Sequence, residues 1–310
     1  MGEILFLEPV FKQMIWGGHR MREVYGYEIP GDDTGEAWVV SAHEQGDCRI
    51  RGGRFDGQTL GTLWREHREL FGNLPGERFP LLVKIIDAKA DLSIQVHPDD
   101  QYAAVNENGA MGKTECWYVL DCEEDADIVV GHHARTREEL ERMVQEKRFL
   151  DLIQIRPIHR GDFFQIEPGT IHAIRHGTML LETQQNSAIT YRLYDYDRLQ
   201  NGKPRELHIA KSLDVISCPY VEPKIERKTT RGDGFVREEL ISCPVYTVER
   251  WEIRGEAVIP QEFPFLIVDV LDGAGELDGV RVEKGDHVIL TAGYGECRVT
   301  GEITVITSRV

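Results

Sequence analysis

The sequence is short of positive charge, has no paired cysteine motif and contains no long apolar run. Lysine and arginine number 36 against 53 aspartates and glutamates, a formal net charge of -17 at pH 7. This balance excludes a broad electrostatic surface for nucleic acid or for an anionic membrane, so cations that bind an anionic ligand must be local. The six cysteines form no CxxC pair, which in a chain of this size indicates reduced thiols.

The first residues, MGEILFLEP, lack the charged and apolar regions of a secretory signal, and no apolar run approaches the length that spans a bilayer. We therefore expect a cytoplasmic protein with no nucleic-acid partner and no membrane partner. At 310 residues, of which 41% are hydrophobic, the chain can bury a substantial core and is expected to fold unaided.

Short β-rich runs separated by Gly, Pro, Asp and Asn dominate the chain and predict a mainly β sandwich or barrel. A few segments have helical periodicity instead. Residues 59–72 predict one helix, and residues 136–153 predict a second. The second opens with a capping box and has Leu140, Met143, Val144 and Leu150 on one face. A third short helix is predicted after Pro98, ending near Gly109.

An internal repeat and a polar segment suggest two domains. Residues 159–174 align without a gap within residues 283–299, Gly161 on Gly285, and each copy has a Gly-Asp turn before an alternating strand. This pattern resembles the second sequence motif of cupins, double-stranded β-helix jelly rolls that hold a metal among inward-facing side chains. The turn-rich segment 224–234 is interpreted as a linker or exposed loop, which predicts a catalytic cupin domain over 1–223 and a smaller cupin-like β domain over 236–310.

The second domain is expected to be free of metal and to have a packing role. Glu296 takes the place that His172 has in the first copy, and His287 is the only histidine of the segment. Two such ligands are fewer than the three that protein zinc sites use.

The stretch DLSIQVHPDD, residues 91–100, indicates metal chemistry. Residues i and i+2 of a strand point to the same face, so Gln95 and His97 project together. Glu115 and His172 add a carboxylate and a second imidazole, a mixed set that suits zinc or another borderline divalent ion. Taken singly, each histidine is more often a hydrogen-bonded interior residue, by about two to one. The four residues together favour a metal.

The chain contains the segments LVKIIDAKADLSIQVHPDD, GKTECWYVL, EPGTIHAI and QQNSAITYRLYDYDR, with WGG at 16–18 and TGEAWVVS at 34–41. Together these segments resemble one known family, the type I mannose-6-phosphate isomerases in their short bacterial form. The resemblance covers most of residues 5–215. It implies one zinc ion per chain on Gln95, His97, Glu115 and His172, and a catalytic jelly roll followed by a second, cupin-like domain. The implied reaction interconverts mannose 6-phosphate and fructose 6-phosphate through an enediol.

The resemblance also implies catalytic roles for Arg192, Lys113 and Glu182. Arg192 would stabilise charge on the reacting oxygens, and Glu182 is a candidate proton carrier, one of several possible bases. Alternation along an unbroken strand would place Glu182 and Arg192 on one polar face of residues 182–192. The alternative for Arg192 is a structural ion pair with Asp195 or Asp197.

Lys84 and Ser93 are candidates for the phosphate end of the substrate by the same resemblance. Ser93 lies two residues before Gln95 and hence on its face, whereas Lys84, within an apolar run, could instead extend to the surface. Ala188 stands where the family usually has an aspartate, which removes an acceptor near Arg192 and predicts slower turnover or an altered substrate range.

Three functions are compatible with the sequence. A mannose-6-phosphate isomerase is favoured because the ligands, Lys113 and Arg192 are all present. Another cupin metal enzyme, such as a glucose-6-phosphate isomerase or an oxygenase, would be expected to carry an HxH pair where this chain has Gln95-x-His97. A non-catalytic sugar-phosphate sensor is supported only by Ala188.

Overall fold

The computed structural model describes residues 2–310, so Met1 lies outside the described residues. Six α-helices are present in this range: α1 (Arg20–Tyr25), α2 (Leu60–Glu66), α3 (Asp100–Asn106), α4 (Arg137–Gln145), α5 (Phe149–Leu152) and α6 (Ile209–Val215). The strands are β1 (Ile4–Glu8), β2 (Val10–Gly18), β3 (Thr34–Val40), β4 (Ala42–His43), β5 (Gly46–Asp47), β6 (Arg49–Arg51), β7 (Leu81–Ala88), β8 (Ile94–Val96), β9 (Glu115–Cys122), β10 (Asp127–His132), β11 (Ile153–Pro157), β12 (Phe163–Ile166), β13 (His172–Ile174), β14 (Thr178–Gln185), β15 (Tyr191–Tyr194), β16 (Leu199–Gln200), β17 (Lys203–Pro204), β18 (Lys228–Gly232), β19 (Phe235–Ser242), β20 (Thr247–Gln261), β21 (Phe265–Leu277), β22 (Val280–Glu283), β23 (His287–Thr291) and β24 (Gly295–Arg309).

Two antiparallel sheets form the first jelly roll. The six-stranded sheet has the order β12-β9-β14-β7-β2-β3, and the five-stranded sheet has the order β11-β10-β13-β8-β15. One apolar cluster includes Trp117 and Leu180 from the first sheet and Ile128 and Ile174 from the second, so it fills the space between the sheets. The prediction of a mainly β fold is confirmed.

The alternation of side chains separates the two faces of the six-stranded sheet. On β14, Leu180 packs into the cluster between the sheets, whereas Met179 and Leu181 pack into a cluster on the other face. Glu182 therefore faces the interior of the jelly roll, together with Lys84 of β7 and Glu115 of β9. The interior face of this sheet thus carries the charged side chains of Glu182, Lys84 and Glu115 beside an apolar cluster, whereas its other face packs in a second apolar cluster.

A nine-stranded sheet covers that apolar surface. Its order is β18-β19-β20-β24-β21-β23-β1-β6, with β22 beside β21. One apolar cluster joins Phe163 and Leu181 of the first jelly roll to Leu240, Phe265 and Ile306 of this sheet. The C-terminal sheet therefore packs on the back of the sheet that carries Glu115 and Glu182.

The chain does not divide between these sheets in simple sequence order. Strand β1 pairs with β23, and β6 pairs with β1, so two N-terminal strands extend the C-terminal sheet. The interpretation of 224–234 as a linker or loop is wrong for residues 228–232, which form the exposed strand β18. The division into domains at 1–223 and 236–310 stays a prediction.

The two copies of the sequence repeat have matching turns. The backbone N–H of His159 donates to Asp162 Oδ2 at 2.7 Å, and that of Glu283 donates to Asp286 Oδ2 at 2.9 Å. The glycine before each aspartate has a positive φ, 92° at Gly161 and 91° at Gly285. A side chain at either glycine would be strained there, which explains why both copies have Gly-Asp.

The helix prediction for 59–72 is wrong in its continuity. Helix α2 ends at Glu66 because His67 has non-helical angles, φ -132° and ψ 53°, and a 3₁₀ turn follows over Arg68–Phe71. This break lets Phe71 pack against Trp64, with ring centroids 5.4 Å apart. The third predicted helix is confirmed as α3, whose N-cap Asp99 accepts from the backbone of Tyr102.

The second predicted helix, 136–153, is also interrupted. Thr136 caps α4 as expected, but Lys147 has a φ of 55° and separates α4 from α5. The change of direction at Lys147 buries Phe149 and Leu152 and leaves Leu150 64% exposed. The prediction that Leu150 lies on one face with the buried residues Leu140, Met143 and Val144 is therefore wrong. The described part of the chain contains no helix that is both long enough and apolar enough to cross a membrane.

A polar cleft of about 1040 Å³ lies between the first jelly roll and the C-terminal sheet. Its lining includes Tyr118 and Leu120 of β9 and Arg250 and Lys284 of the C-terminal sheet. Tyr118 and Leu120 point away from the face that carries Glu115. The cleft therefore lies on the opposite side of the six-stranded sheet from Glu115 and Glu182.

Candidate metal centre and its surroundings

Three buried side chains converge between the two sheets of the first jelly roll. His97 Nε2 lies 3.1 Å from His172 Nε2, 3.7 Å from Glu115 Oε2, and His172 Nε2 lies 3.4 Å from Glu115 Oε1. Their possible ligand atoms all lie within 4.8 Å of one another. Each side chain is at most 1% exposed, so the group is shielded from water.

Gln95 lies beside this group on strand β8, which is adjacent to the strand β13 that carries His172. In the five-stranded sheet Gln95 pairs directly with His172, and its Nε2 lies 3.3 Å from His172 Nε2. Rotation of the amide by 180° would exchange Nε2 and Oε1 and present an acceptor oxygen instead. The structure thus brings all four predicted ligands together.

The imidazole of His172 is oriented by its own strand. Its Nδ1 donates to the backbone carbonyl of Thr170 at 2.9 Å, which leaves Nε2 with a lone pair directed into the group. Burial is the main cause that lowers the pKa of His172 to about 4 and lowers that of His97 as well. Both rings are therefore neutral near pH 7, the form that binds a metal.

The atoms of the group fit a divalent cation. His172 Nε2 has a lone pair, and Lys113 Nζ, which can only donate, lies 3.3 Å from His97 Nε2. Two acceptor nitrogens therefore face each other at 3.1 Å, as they would around a shared cation. Neither carboxylate oxygen of Glu115 accepts a hydrogen bond of good geometry within residues 2–310, although Lys113 Nζ lies 2.7 Å from Oε2. Two nitrogens and a carboxylate, with an amide oxygen, form a donor set that suits zinc or a similar ion.

Two lysines and Glu182 surround the candidate ligands. Lys84 Nζ lies 3.0 Å from Glu182 Oε1, and Lys113 Nζ lies 3.8 Å from the same oxygen. The indole N–H of Trp117 donates to Glu182 Oε2 at 3.2 Å. The site is therefore a buried set of alternating charges next to the candidate metal centre.

These charges move the pKa of Glu182 and Glu115 in opposite directions. Burial alone would raise the pKa of Glu182, but Lys113 and Lys84 together with the Trp117 hydrogen bond lower it. Burial and the charge of Glu182 raise the pKa of Glu115, against the effect of Lys113. Glu182 is thus the carboxylate held ionised by lysine, whereas ionisation of Glu115 is helped by any cation bound between the histidines.

Lys84 does not extend to the surface, which was one alternative for it. Its side chain is 9% exposed and pairs with Glu182. Ser93 is also buried, and its Oγ donates to Gln95 Oε1 at 3.4 Å. In this structure Lys84 and Ser93, the candidate phosphate residues, contact Glu182 and the candidate ligand Gln95, respectively.

Sequence reasoning missed a second group beside Lys84. Trp38 donates its indole N–H to Glu36 Oε2 at 2.6 Å, and Lys84 Nζ lies 5.5 Å from the centre of the Trp38 ring. Both residues belong to TGEAWVVS, and their i, i+2 spacing on one strand was the available signal. Trp117 was missed as well, although it lies two residues after Glu115 on the same face.

The prediction that Glu182 and Arg192 share one strand is wrong. Strand β14 ends at Gln185, and Arg192 lies on β15 of the opposite sheet, where it pairs with Gln95. The chain turns between the strands because side chains there bind distant backbone: Asn186 Nδ2 donates to Phe79 O and Ser187 Oγ to Met111 O. Glu182 and Arg192 thus approach the centre from opposite sheets.

Arg192 is not the surface ion pair that was the alternative. Asp195 pairs with Arg198 and Arg205, and within residues 2–310 Arg192 forms no ion pair with Asp195 or Asp197. Arg192 Nη1 donates to the backbone carbonyl of Glu206 at 3.5 Å, and its buried Nε has no hydrogen-bond partner in the described part of the chain. Burial and the nearby Arg205 lower the pKa of Arg192. Ala188 is exposed at the turn before β15.

Two facing antiparallel sheets with a buried His-Glu-His group, and a second domain with the same Gly-Asp turn, define a two-domain cupin with a candidate metal site. Two family models match the chain: "Phosphomannose isomerase type I, catalytic domain" over residues 4–124, and "Mannose-6-phosphate isomerase, cupin domain" over residues 237–310. The chain belongs to the type I phosphomannose isomerase family.

Full-length relatives agree with this assignment. The mannose-6-phosphate isomerase ManA of Bacillus subtilis is 45% identical over 313 residues, which cover 99% of each chain. The mannose-6-phosphate isomerase of Streptococcus mutans is 42% identical, covering 99% of this chain and 98% of its own. A crystal structure of the mannose 6-phosphate isomerase from Bacillus subtilis matches with a TM-score of 0.97 at 45% identity and 99% coverage of both chains.

Proposed function

We propose that this chain is a zinc-dependent aldose-ketose isomerase that interconverts mannose 6-phosphate and fructose 6-phosphate through an enediol. The observation that carries the proposal is the buried group of His97, Glu115 and His172 beside two lysines and Glu182. Two relatives that are named mannose-6-phosphate isomerases also support the proposal, since they are 42% and 45% identical to this chain over nearly its whole length.

One zinc ion would be held by Gln95, His97, Glu115 and His172. When bound, it would supply a Lewis acid that polarises the sugar oxygens at C1 and C2. Arg192 would add a fixed positive charge for the oxygen on which negative charge develops, from the sheet opposite to Glu182. Because these groups are fixed by two sheets, they need little reorganisation during the reaction.

Moving a proton between C1 and C2 requires a base close to both carbons. We assign this role to Glu182, which is ionised and held in place by Lys84, Lys113 and Trp117. A carboxylate with so low a pKa is a weak base, so substrate binding must weaken its contact with a lysine. We assign Lys84 and Ser93 to the substrate phosphate, and transfer of Lys84 from Glu182 to phosphate would raise the pKa of Glu182 as catalysis requires.

Metal content and substrate range test the proposal together. Zinc-loaded protein should isomerise mannose 6-phosphate in a coupled assay, and chelation should abolish turnover. His97→Ala and His172→Ala should lose both zinc and activity, whereas the matched control His133→Ala, at an exposed position, should lose neither. Preference for glucose 6-phosphate would favour a different cupin isomerase. Sugar-phosphate binding without turnover by the zinc-loaded protein would favour a sensor.

A further inference from the structure

Arg192 lies on an edge strand, and one residue outside the sheet binds its backbone. Strand β15 pairs with β8 on one side only, where Arg192 lies opposite Gln95. The backbone N–H of His208 donates to the carbonyl of Arg192 at 2.8 Å, and the backbone N–H of Arg192 donates to His208 Nδ1 at 3.2 Å. His208 therefore satisfies both main-chain groups of Arg192, as a neighbouring strand would.

The residue at 208 also anchors the next helix. His208 is the N-cap of α6, and its carbonyl accepts from the backbone N–H of Ser212 at 2.8 Å. Two residues earlier, the carbonyl of Glu206 accepts from Arg192 Nη1 at 3.5 Å. Segment 206–208 thus holds Arg192 at its backbone and at its guanidinium, and helix α6 fixes that segment against β15.

The hydrogen bond to Nδ1 requires one form of the histidine. A backbone N–H can only donate, so Nδ1 must keep its lone pair, and the ring proton of the neutral form lies on Nε2. His208 Nε2 lies 4.0 Å from Glu206 Oε2. Burial chiefly lowers the pKa of His208; Arg192 and Lys211 act in the same direction, and Glu206 and Glu107 oppose them. The ring is therefore neutral near pH 7, as the acceptor role requires.

We propose that His208 is a positioning residue for Arg192, which it holds in register through an acceptor nitrogen in place of a neighbouring strand. This inference rests on the proposed function, in which Arg192 is catalytic. His208 acts on the reaction only through the backbone of Arg192. Displacement of a catalytic group by about 1 Å can cost on the order of a hundredfold in rate.

Two substitutions separate the acceptor from the bulk of the ring. His208→Asn places its side-chain oxygen near the position of Nδ1 and keeps an acceptor, although it removes the packing against Tyr191, whose ring centroid lies 6.0 Å away. His208→Phe keeps the ring and removes the acceptor. His159→Phe is the matched control, because His159 is 80% exposed and belongs to a surface turn.

Turnover and amide exchange of full-length, zinc-loaded variants test the proposal. We expect His208→Phe to lower kcat about 10- to 100-fold with KM nearly unchanged, and His208→Asn to stay within a few-fold of the wild type. Hydrogen-deuterium exchange of the Arg192 amide should become faster in His208→Phe and remain slow in His208→Asn and in the control.

Wild-type kcat and slow exchange in His208→Phe would overturn the proposal, and so would equal losses in His208→Phe and His208→Asn. An inactive wild-type protein would refute the proposed isomerase function instead. The exchange measurement would still decide whether His208 holds the backbone of Arg192.

Discussion

Replacement of Lys84 with methionine should destabilise the protein because it leaves a buried carboxylate with one cation fewer. The Lys84 and Glu182 side chains are 9% and 4% exposed, and their charged atoms lie 3.0 Å apart. Methionine fills most of the volume of the lysine stem, so the change removes mainly the charge. Breaking a buried ion pair by removing one partner costs about 3–5 kcal/mol in proteins generally.

The cost of removing Lys84 should be smaller than this general value, because a second lysine, Lys113, lies near Glu182. Burial alone would raise the pKa of Glu182, yet Lys113, Lys84 and Trp117 bring it from 4.5 to about 2. That lowering of the pKa corresponds to roughly 3 kcal/mol. Lys113 Nζ stays 3.8 Å from the same oxygen in the variant. We therefore expect Lys84→Met to lower the free energy of unfolding by about 2 kcal/mol at pH 7.

The destabilisation caused by Lys84→Met should become smaller as the pH falls. The folded pKa of Glu182 is lower than its unfolded value, so its contribution to stability is complete above about pH 4.5 and is lost as the pH falls towards about 2. The difference between variant and wild type should therefore shrink across that range, because a protonated Glu182 no longer needs a cation.

Urea unfolding at pH 7 and pH 3, on chelated protein so that metal content is equal, measures the difference. The double variant Lys84→Met/Glu182→Gln should be less destabilised than the sum of its single variants. Equal destabilisation by Lys84→Met at both pH values, or strict additivity in the double variant, would show that the ion pair does not stabilise the fold.

Three further outcomes follow from the same geometry. Arg192→Ala should lower kcat by roughly 10²–10³, about 2.7–4 kcal/mol, with zinc content unchanged; an effect on KM alone would point to phosphate binding instead. Tyr27→Phe should lower the free energy of unfolding in urea by about 1 kcal/mol, because Tyr27 Oη lies 2.7 Å from His287 Nε2 of the C-terminal sheet. An unchanged free energy of unfolding would show that water replaces this hydrogen bond. A chain ending near residue 235 should not fold stably, because it exposes the apolar back of β9 and β14; a soluble fragment that still binds zinc would contradict this.

The candidate metal ligands were predictable because strand alternation and ligand chemistry are local properties of the sequence. Gln95 and His97 are two residues apart, and the chemistry of Glu115 and His172 completes a set that the fold does bring together. The identity of their neighbours was less accessible. In the sequence Trp117 and Trp38 look like ordinary core residues. Only the structure shows that the indole N–H of Trp117 donates to Glu182 and that of Trp38 donates to Glu36.

The position of Arg192 could not be read from alternation, since the pattern continues through a turn. Strand β14 ends where Asn186 and Ser187 bind backbone atoms of residues 79 and 111. Those partners are distant in sequence, so no local propensity encodes them. The helix breaks at His67 and Lys147 also depend on tertiary contacts. The break at His67 allows Phe71 to pack in the core, and the break at Lys147 does the same for Phe149 and Leu152.

The pairing of the first strand with one of the last has a consequence for synthesis. Leu5 lies opposite Ile289, 284 positions further along the chain, so β1 emerges from the ribosome long before its neighbour β23 exists. At roughly 5–20 residues per second that interval lasts roughly 14–57 s. During that interval β1 can pair with β6 but not with β23, and the apolar face of the six-stranded sheet lacks the strands that cover it. Completion of the fold therefore waits until β23 has been synthesised and can pair with the much earlier β1.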